Sequence, residues 1–90
     1  MDQIFLEEAL ERIREMERRF DLLLVADIKT IREEPGLRRQ LEILEAYYAN
    51  GLWLRDYSLD EQGLLPEDLK RGVLSQDLLY NFLDSLADQV

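Results

Sequence analysis

The chain contains neither cysteine nor histidine. Without cysteine there is no disulfide framework and no thiolate nucleophile. Without either residue, the usual ligands of zinc, copper and haem are missing. Acid–base or nucleophilic chemistry would fall to carboxylates, lysine, tyrosine or serine. The four glycines stand singly, at Gly36, Gly51, Gly63 and Gly72, so no glycine-rich phosphate loop is present. Long apolar runs are missing too. The longest, Leu22 to Ala26, falls far short of the roughly 20 residues of a membrane span. The acidic opening MDQIFLEEALE has no apolar run of signal-peptide length. The expectation is a cytoplasmic protein with no membrane span, no cofactor and no catalysis of its own.

Acidic residues are in excess. Twenty acidic against eleven basic residues give a net charge of −9. Phosphate backbones are repelled at that charge, so direct nucleic-acid binding is not expected. Solubility is the plain reading of the charge, and imitation of nucleic acid on a basic groove of another protein is the alternative. Ninety residues make one domain, residues 1–90, that buries roughly 60–65% of its unfolded surface.

Hydrophobic spacing predicts an all-α fold. Leu6, Leu10, Ile13, Met16 or Glu17, Phe20, Leu24, Asp27 and Ile31 follow a three-and-four spacing, which predicts one long helix from Asp2 to Glu33. Its outer face carries Glu8 with Arg12 and Glu15 with Arg19 as opposite-charge pairs, and Glu11 with Glu15 and Arg14 with Arg18 as like-charge pairs. Pro35-Gly36 ends this helix and permits a reversal, because proline pushes Glu34 out of helical geometry. A second helix follows from Leu37 to Asn50, with Leu37, Leu41, Leu44 and Tyr48 on one face. Asn50-Gly51 is its exit. The short connection favours a long antiparallel hairpin. The final helix, Ser75 to Ala87, has an apolar face of Leu78, Leu79, Phe82, Leu83 and Leu86, and is expected to cover the hairpin's open end near Ile4, Phe5 and Leu6.

Between these helices, Leu52 to Leu65 shows no clear period and reads as an irregular stretch pinned by Trp53, Leu54, Tyr57 and Leu59. Then LLPEDLKRGVLSQD, Leu64 to Asp77, carries a dense set of helix signals. Pro66 suits a first helical position, Glu67 and Asp68 suit its positive end, and Lys70 and Arg71 suit its last turn. Gly72 reads as a left-handed stop and Ser75 as the next cap. The expected architecture is therefore three main helices plus a short linking helix at Pro66 to Arg71.

The same residues resemble a family of short bacterial proteins that carries only a domain-of-unknown-function label. Its members have a long helical first half, an acidic–aromatic segment, then G-x-LP-x-DLKRGVLS-x-D and a last amphipathic helix. The residues in common are Tyr47, Tyr48, Trp53, Asp56, Asp60, Gly63, Leu65, Pro66, Asp68 through Ser75, Asp77, Leu78 and Tyr80. The resemblance implies a helical fold and supplies no catalytic, cofactor or partner-binding residue. The run Leu22 to Ala26 is more apolar than the resemblance leads one to expect, which points to an additional contact surface.

Three chemistries bear on this architecture. Asp56, Ser58, Asp60 and Glu67 fall on positions one, three, five and twelve of a calcium-loop template, but Glu61 stands where the sharp turn needs glycine. Loop carboxylates without a metal are the plainer reading; a carboxylate-based metal protein stays as an alternative. Asp56 and Asp60 as a catalytic pair have no histidine or thiol to work with. Lys70 and Arg71 either complete a helix end, pairing with Asp56, Asp60 or Glu61, or recognise an acidic partner or phosphate group. The expected function is a non-catalytic protein–protein interaction or regulatory module. Trp53, Asp56, Asp60, Lys70 and Arg71 are the candidate partner-binding residues, and a homodimer burying Leu22 to Ala26 is the expected assembly.

Overall fold

The computed structural model describes residues 3–87 and is all-helical. Five helices are present: α1 (Gln3–Leu24), α2 (Ile28–Glu33), α3 (Pro35–Ala49), α4 (Leu52–Glu61) and α5 (Gln76–Ala87). The expected helix start at Asp2 lies outside the described residues.

The first long helix is broken where Asp27 stands. Its Oδ1 accepts from the Thr30 N–H at 2.8 Å, capping α2 while its own backbone is extended. A short acceptor side chain ahead of Ile28, Thr30 and Ile31 competes well with helix continuation, because β-branched residues hold a helix weakly. The same hydrogen bond holds the Asp27 carboxyl below the ordinary carboxylate range. The buried stripe of α1 is Ala9, Ile13, Glu17, Phe20 and Leu23. Burial therefore falls on Leu23, and Leu24 is exposed, contrary to the sequence reading.

Pro35 acts as its chemistry dictates. Glu34 is extended (φ −87°, ψ 117°) and its carboxylate caps α3 by accepting from the N–H groups of Gly36 and Leu37. Gly36 thus lies inside the first turn of α3 and is not the reversal point. Helix α3 packs against α1, α2 and α4, burying Leu44 and Tyr47. It ends at Asn50, and Gly51 takes a left-handed conformation (φ 94°) before α4.

Two expectations for the middle of the chain are corrected. Residues 52–61 form a helix, with Trp53, Asp56 and Leu59 buried. Its inward face includes a carboxylate, so counting apolar residues alone hides the period. Leu54, expected to pin the segment, is exposed. Residues 66–71 form turns and no helix. The backbone carbonyls of Pro66, Glu67 and Leu69 accept from the Arg71 guanidinium, which takes the place of the amide donors that a helix would have brought to them.

Ser75 caps α5 as expected, its Oγ accepting from the Leu78 N–H and its carbonyl from the Leu79 N–H. Leu79 and Leu86 are buried, Phe82 and Leu83 half-buried, and Leu78 is exposed. The Phe82 ring meets Phe20 edge-on at 5.4 Å, and Arg32 of α2 donates to the Leu86 carbonyl. Those contacts set α5 against the second half of α1 and against α2; the Ile4 side chain stays exposed at the first turn of α1.

Gly72 does not have positive φ, so it is not a left-handed stop. Its role is one of space. Glu17 of α1 accepts from the Val73 N–H at 2.8 Å, and a Cβ on Gly72 would sit 2.6 Å from Glu17 Oε1. Gly72→Ala is expected to destabilise by about 0.5–1.5 kcal/mol, because the Glu17 carboxylate must swing aside and loosen its hydrogen bond to the Val73 N–H. The cost should shrink in a Glu17→Ala background, which removes the obstructing carboxylate. Denaturant melts of the four proteins of that cycle measure the coupling; equal costs in both backgrounds would place the strain elsewhere.

Candidate functional site

Asp56 is the most deeply buried of the five residues singled out from the sequence, with no exposed surface. It projects from α4 toward α1 and α3. Arg12 Nε donates to its Oδ2 at 2.9 Å and Arg12 Nη2 donates to its Oδ1. The Tyr47 hydroxyl donates to Oδ2 at 2.7 Å. Both carboxylate oxygens are thus engaged by donors from two other helices. A buried carboxylate persists when paired and hydrogen-bonded in this way, since an unpaired one would carry a heavy desolvation cost.

The neighbours respond. The hydrogen bond to Asp56 raises the Arg12 guanidinium above its ordinary pKa, with burial opposing. Burial first, and then donation to Asp56, pushes the Tyr47 phenol far above the usual tyrosine range. Arg12 was read from sequence as half of a surface pair with Glu8. Its position beside the buried Ala9 and Ile13 was the signal that it turns inward.

Trp53 is likewise internal. Its Nε1–H donates to the Val73 carbonyl at 2.9 Å. Its ring stacks on Tyr57 at 5.0 Å and leans on Tyr48 at 5.2 Å. Asp60 accepts from Arg71 Nε at 2.7 Å, which selects one of the three acidic partners offered by the sequence. Arg71 therefore ties α4 to the turn that follows it. Lys70, the fifth residue, is exposed.

The structure does not bring the five residues into one surface site. Four are occupied within the fold, and Lys70 faces a cleft that the sequence reading did not assemble. The cleft lies between α1 and residues 68–70 and encloses about 360 Å³, lined by Arg14, Glu17, Arg18, Asp21, Asp68, Leu69 and Lys70. Arg14 and Arg18 also border a second hollow of about 360 Å³ with Glu7, Leu10 and Glu11. The available signal was the like-charge pair Arg14–Arg18, one turn apart on the outer face of a helix.

Asp56, Ser58 and Asp60 lie on α4 and do not form a calcium loop. Among the described residues no group of three or more acidic side chains is disposed to hold a metal ion. No helix among them is long and apolar enough to cross a membrane.

These features define a small helical domain organised about a buried carboxylate. The chain belongs to the family described as Domain of unknown function (DUF4298), whose match covers residues 3–89. The match extends well beyond the Tyr47–Tyr80 segment from which a family of unknown function was expected. No curated protein and no solved structure matches the chain.

Asp56→Asn should destabilise the fold by about 3–5 kcal/mol, because Arg12 would keep its charge without a buried counter-charge. Tyr47→Phe should cost about 1.5–3 kcal/mol, the range for hydrogen bonds to charged groups. The phenol also gives a pH signature. Its folded pKa lies above the unfolded value of about 10, so its contribution is intact below pH 10 and is lost as pH rises above it. Urea melts between pH 8 and 11 should show stability falling above pH 10 in wild type, with that part of the slope missing in Tyr47→Phe.

Proposed function

We propose that the protein is a non-catalytic protein–protein interaction module of the cytoplasm. Its contact patch is the end of α1, and the exposure of apolar side chains there carries the reading. Leu22 is 47% exposed, Leu24 48% and Val25 86%, while Leu23 between them is fully buried. Leu54, Leu78 and Tyr80 are also exposed, but single exposed hydrophobics are ordinary, and three within four residues are less so. The belt that the sequence marked as a contact surface is thus divided, Leu23 and Ala26 serving the core and the other three side chains facing outward.

The first occupant on this reading is a second copy of the chain. An apolar patch is self-complementary without any matching of charge, as a two-fold interface requires. Mimicry of nucleic acid draws less support. The outer face of α1 runs from Glu7 and Glu11 through Arg14 and Arg18 to Asp21, so its carboxylates do not form an unbroken row. A carboxylate metal site draws less as well, since Asp56 is committed to Arg12.

Sedimentation at micromolar concentration tests the proposal. Wild type should dimerise, and more strongly as salt is raised, because two copies each carrying −9 repel until screened. Leu24→Glu/Val25→Glu should be monomeric with an unchanged helical circular dichroism spectrum. Photo-crosslinking in cells from position 25 extends the test to foreign chains. A monomeric wild type at both salt levels that also crosslinks to nothing in cells overturns the reading.

A further inference from the structure

Segment Asp68–Ser75 has an internal task for almost every residue. Leu69, Val73 and Leu74 are buried. Arg71 gathers three carbonyls and Asp60. Gly72 makes room for Glu17, and Ser75 caps α5. Asp68 and Lys70 are left, and both line the cleft opposite Arg14, Arg18 and Asp21. Both ion pairs found among the described residues, Arg12–Asp56 and Arg71–Asp60, lie elsewhere, so none of the three cleft cations is in one.

We propose that this cleft binds a phosphoryl group carried on a small hydroxylated molecule, with Arg14, Arg18 and Lys70 contacting the phosphoryl oxygens. Arg14 and Arg18 are four residues apart, where like charges repel, and an oxyanion between them turns that repulsion into two charge-assisted contacts. Guanidinium groups present paired donors that match phosphoryl oxygens, and Lys70 adds a point charge from the opposite wall. Glu17, Asp21 and Asp68 balance the three cations in number and disfavour a bare anion. The oxygens of Asp21 and Asp68 accept hydrogen bonds from hydroxyl groups, which selects a sugar or polyol phosphate over free phosphate. Glu17 has one oxygen committed to the Val73 N–H and serves mainly as wall.

Size and rigidity agree with this ligand class. About 360 Å³ lies at the lower end of small-molecule sites, which span roughly 300–1,000 Å³. A polyanion the length of a nucleic acid would meet the field of a chain with charge −9. The wall that carries Lys70 is fixed beforehand: Trp53 and Glu17 hold the two sides of Val73, and Arg71 holds the turn. Binding therefore orders the three exposed cationic side chains and little of the backbone that carries Lys70. Leu22, Leu24 and Val25 do not line the cleft, so either proposal can fail alone.

Titration of the labelled full chain, followed by amide and arginine Nε–H resonances at constant ionic strength, decides the matter. Ribose 5-phosphate should produce saturable shifts at Asp68–Lys70 and at the Arg14 and Arg18 side chains. Inorganic phosphate should bind several-fold more weakly, and ribose should not bind. Arg14→Gln/Arg18→Gln should weaken ribose 5-phosphate at least about tenfold, a loss of about 1.4 kcal/mol. Lys70→Gln, on a separate element, should weaken it in the same direction, and Lys29→Gln on α2 should leave it unchanged. Linear shifts without saturation, the same affinity in all variants, or equal affinity for free phosphate and ribose 5-phosphate would overturn the proposal.

Discussion

The carboxylate of Asp56 is the constraint on which the rest of the structure depends. A charge with no exposed surface is tolerated only where donors are brought to it, and here they come from α1 and α3. Apolar packing alone is permissive about how helices slide and rotate against one another. A bidentate guanidinium and a phenol converging on one carboxylate are not, because hydrogen bonds weaken steeply with angle and distance. Asp56 thereby fixes how α1, α3 and α4 lie about a common point. A valine or leucine side chain in its place could bury similar area without specifying that register.

With α4 fixed, its two neighbouring turns organise the segment that follows. Trp53, one turn before Asp56, donates to the Val73 carbonyl, while Glu17 from α1 accepts from the Val73 N–H. Both backbone groups of one buried residue are thus satisfied by side chains of two different helices. This is how residues 64–75 can enter the core without a ladder of their own, since buried backbone groups must find partners somewhere. Asp60, one turn after Asp56, receives Arg71, whose remaining donors close on the carbonyls of the turn. Gly72 is the steric condition for the approach of Glu17.

Local signals in the sequence were legible where a single side chain acts on its own backbone. The Glu34-Pro35 break, the Asn50-Gly51 exit and the Ser75 cap all appear at their expected places. The apolar face of the last helix was legible as well, apart from Leu78. Long-range polar contacts were not. The inward position of Asp56 disguised α4 as a loop, because a buried carboxylate breaks the hydrophobic period that marks a helix. The capping strength of Asp27 was hidden by its fit to the stripe of α1. In Pro66 to Arg71 the start, charge and stop signals all suggested helix, yet Arg71 takes the carbonyls that helix would have used. Among the candidate site residues, Lys70 was legible as an outward cation. Arg14 and Arg18 read from sequence only as a repulsive pair, since nothing in one helix's spacing shows that another segment will close over it.

Perturbed ionisable groups often mark sites of chemistry, and this fold has one in Tyr47, whose phenol is held far above its usual range. Its surroundings argue for a structural task. A group that does chemistry needs access to a reactant and a protonation change within the working pH range. Tyr47 is buried, its proton is held by Asp56, and the raised pKa moves ionisation further from neutrality. Asp56 already accepts three hydrogen bonds from two residues and is closed to solvent. Both ion pairs found among the described residues, and the Tyr47–Asp56 hydrogen bond, thus serve the helix arrangement. The outer face of α1, apolar at its end and charged along its length, has no such internal task.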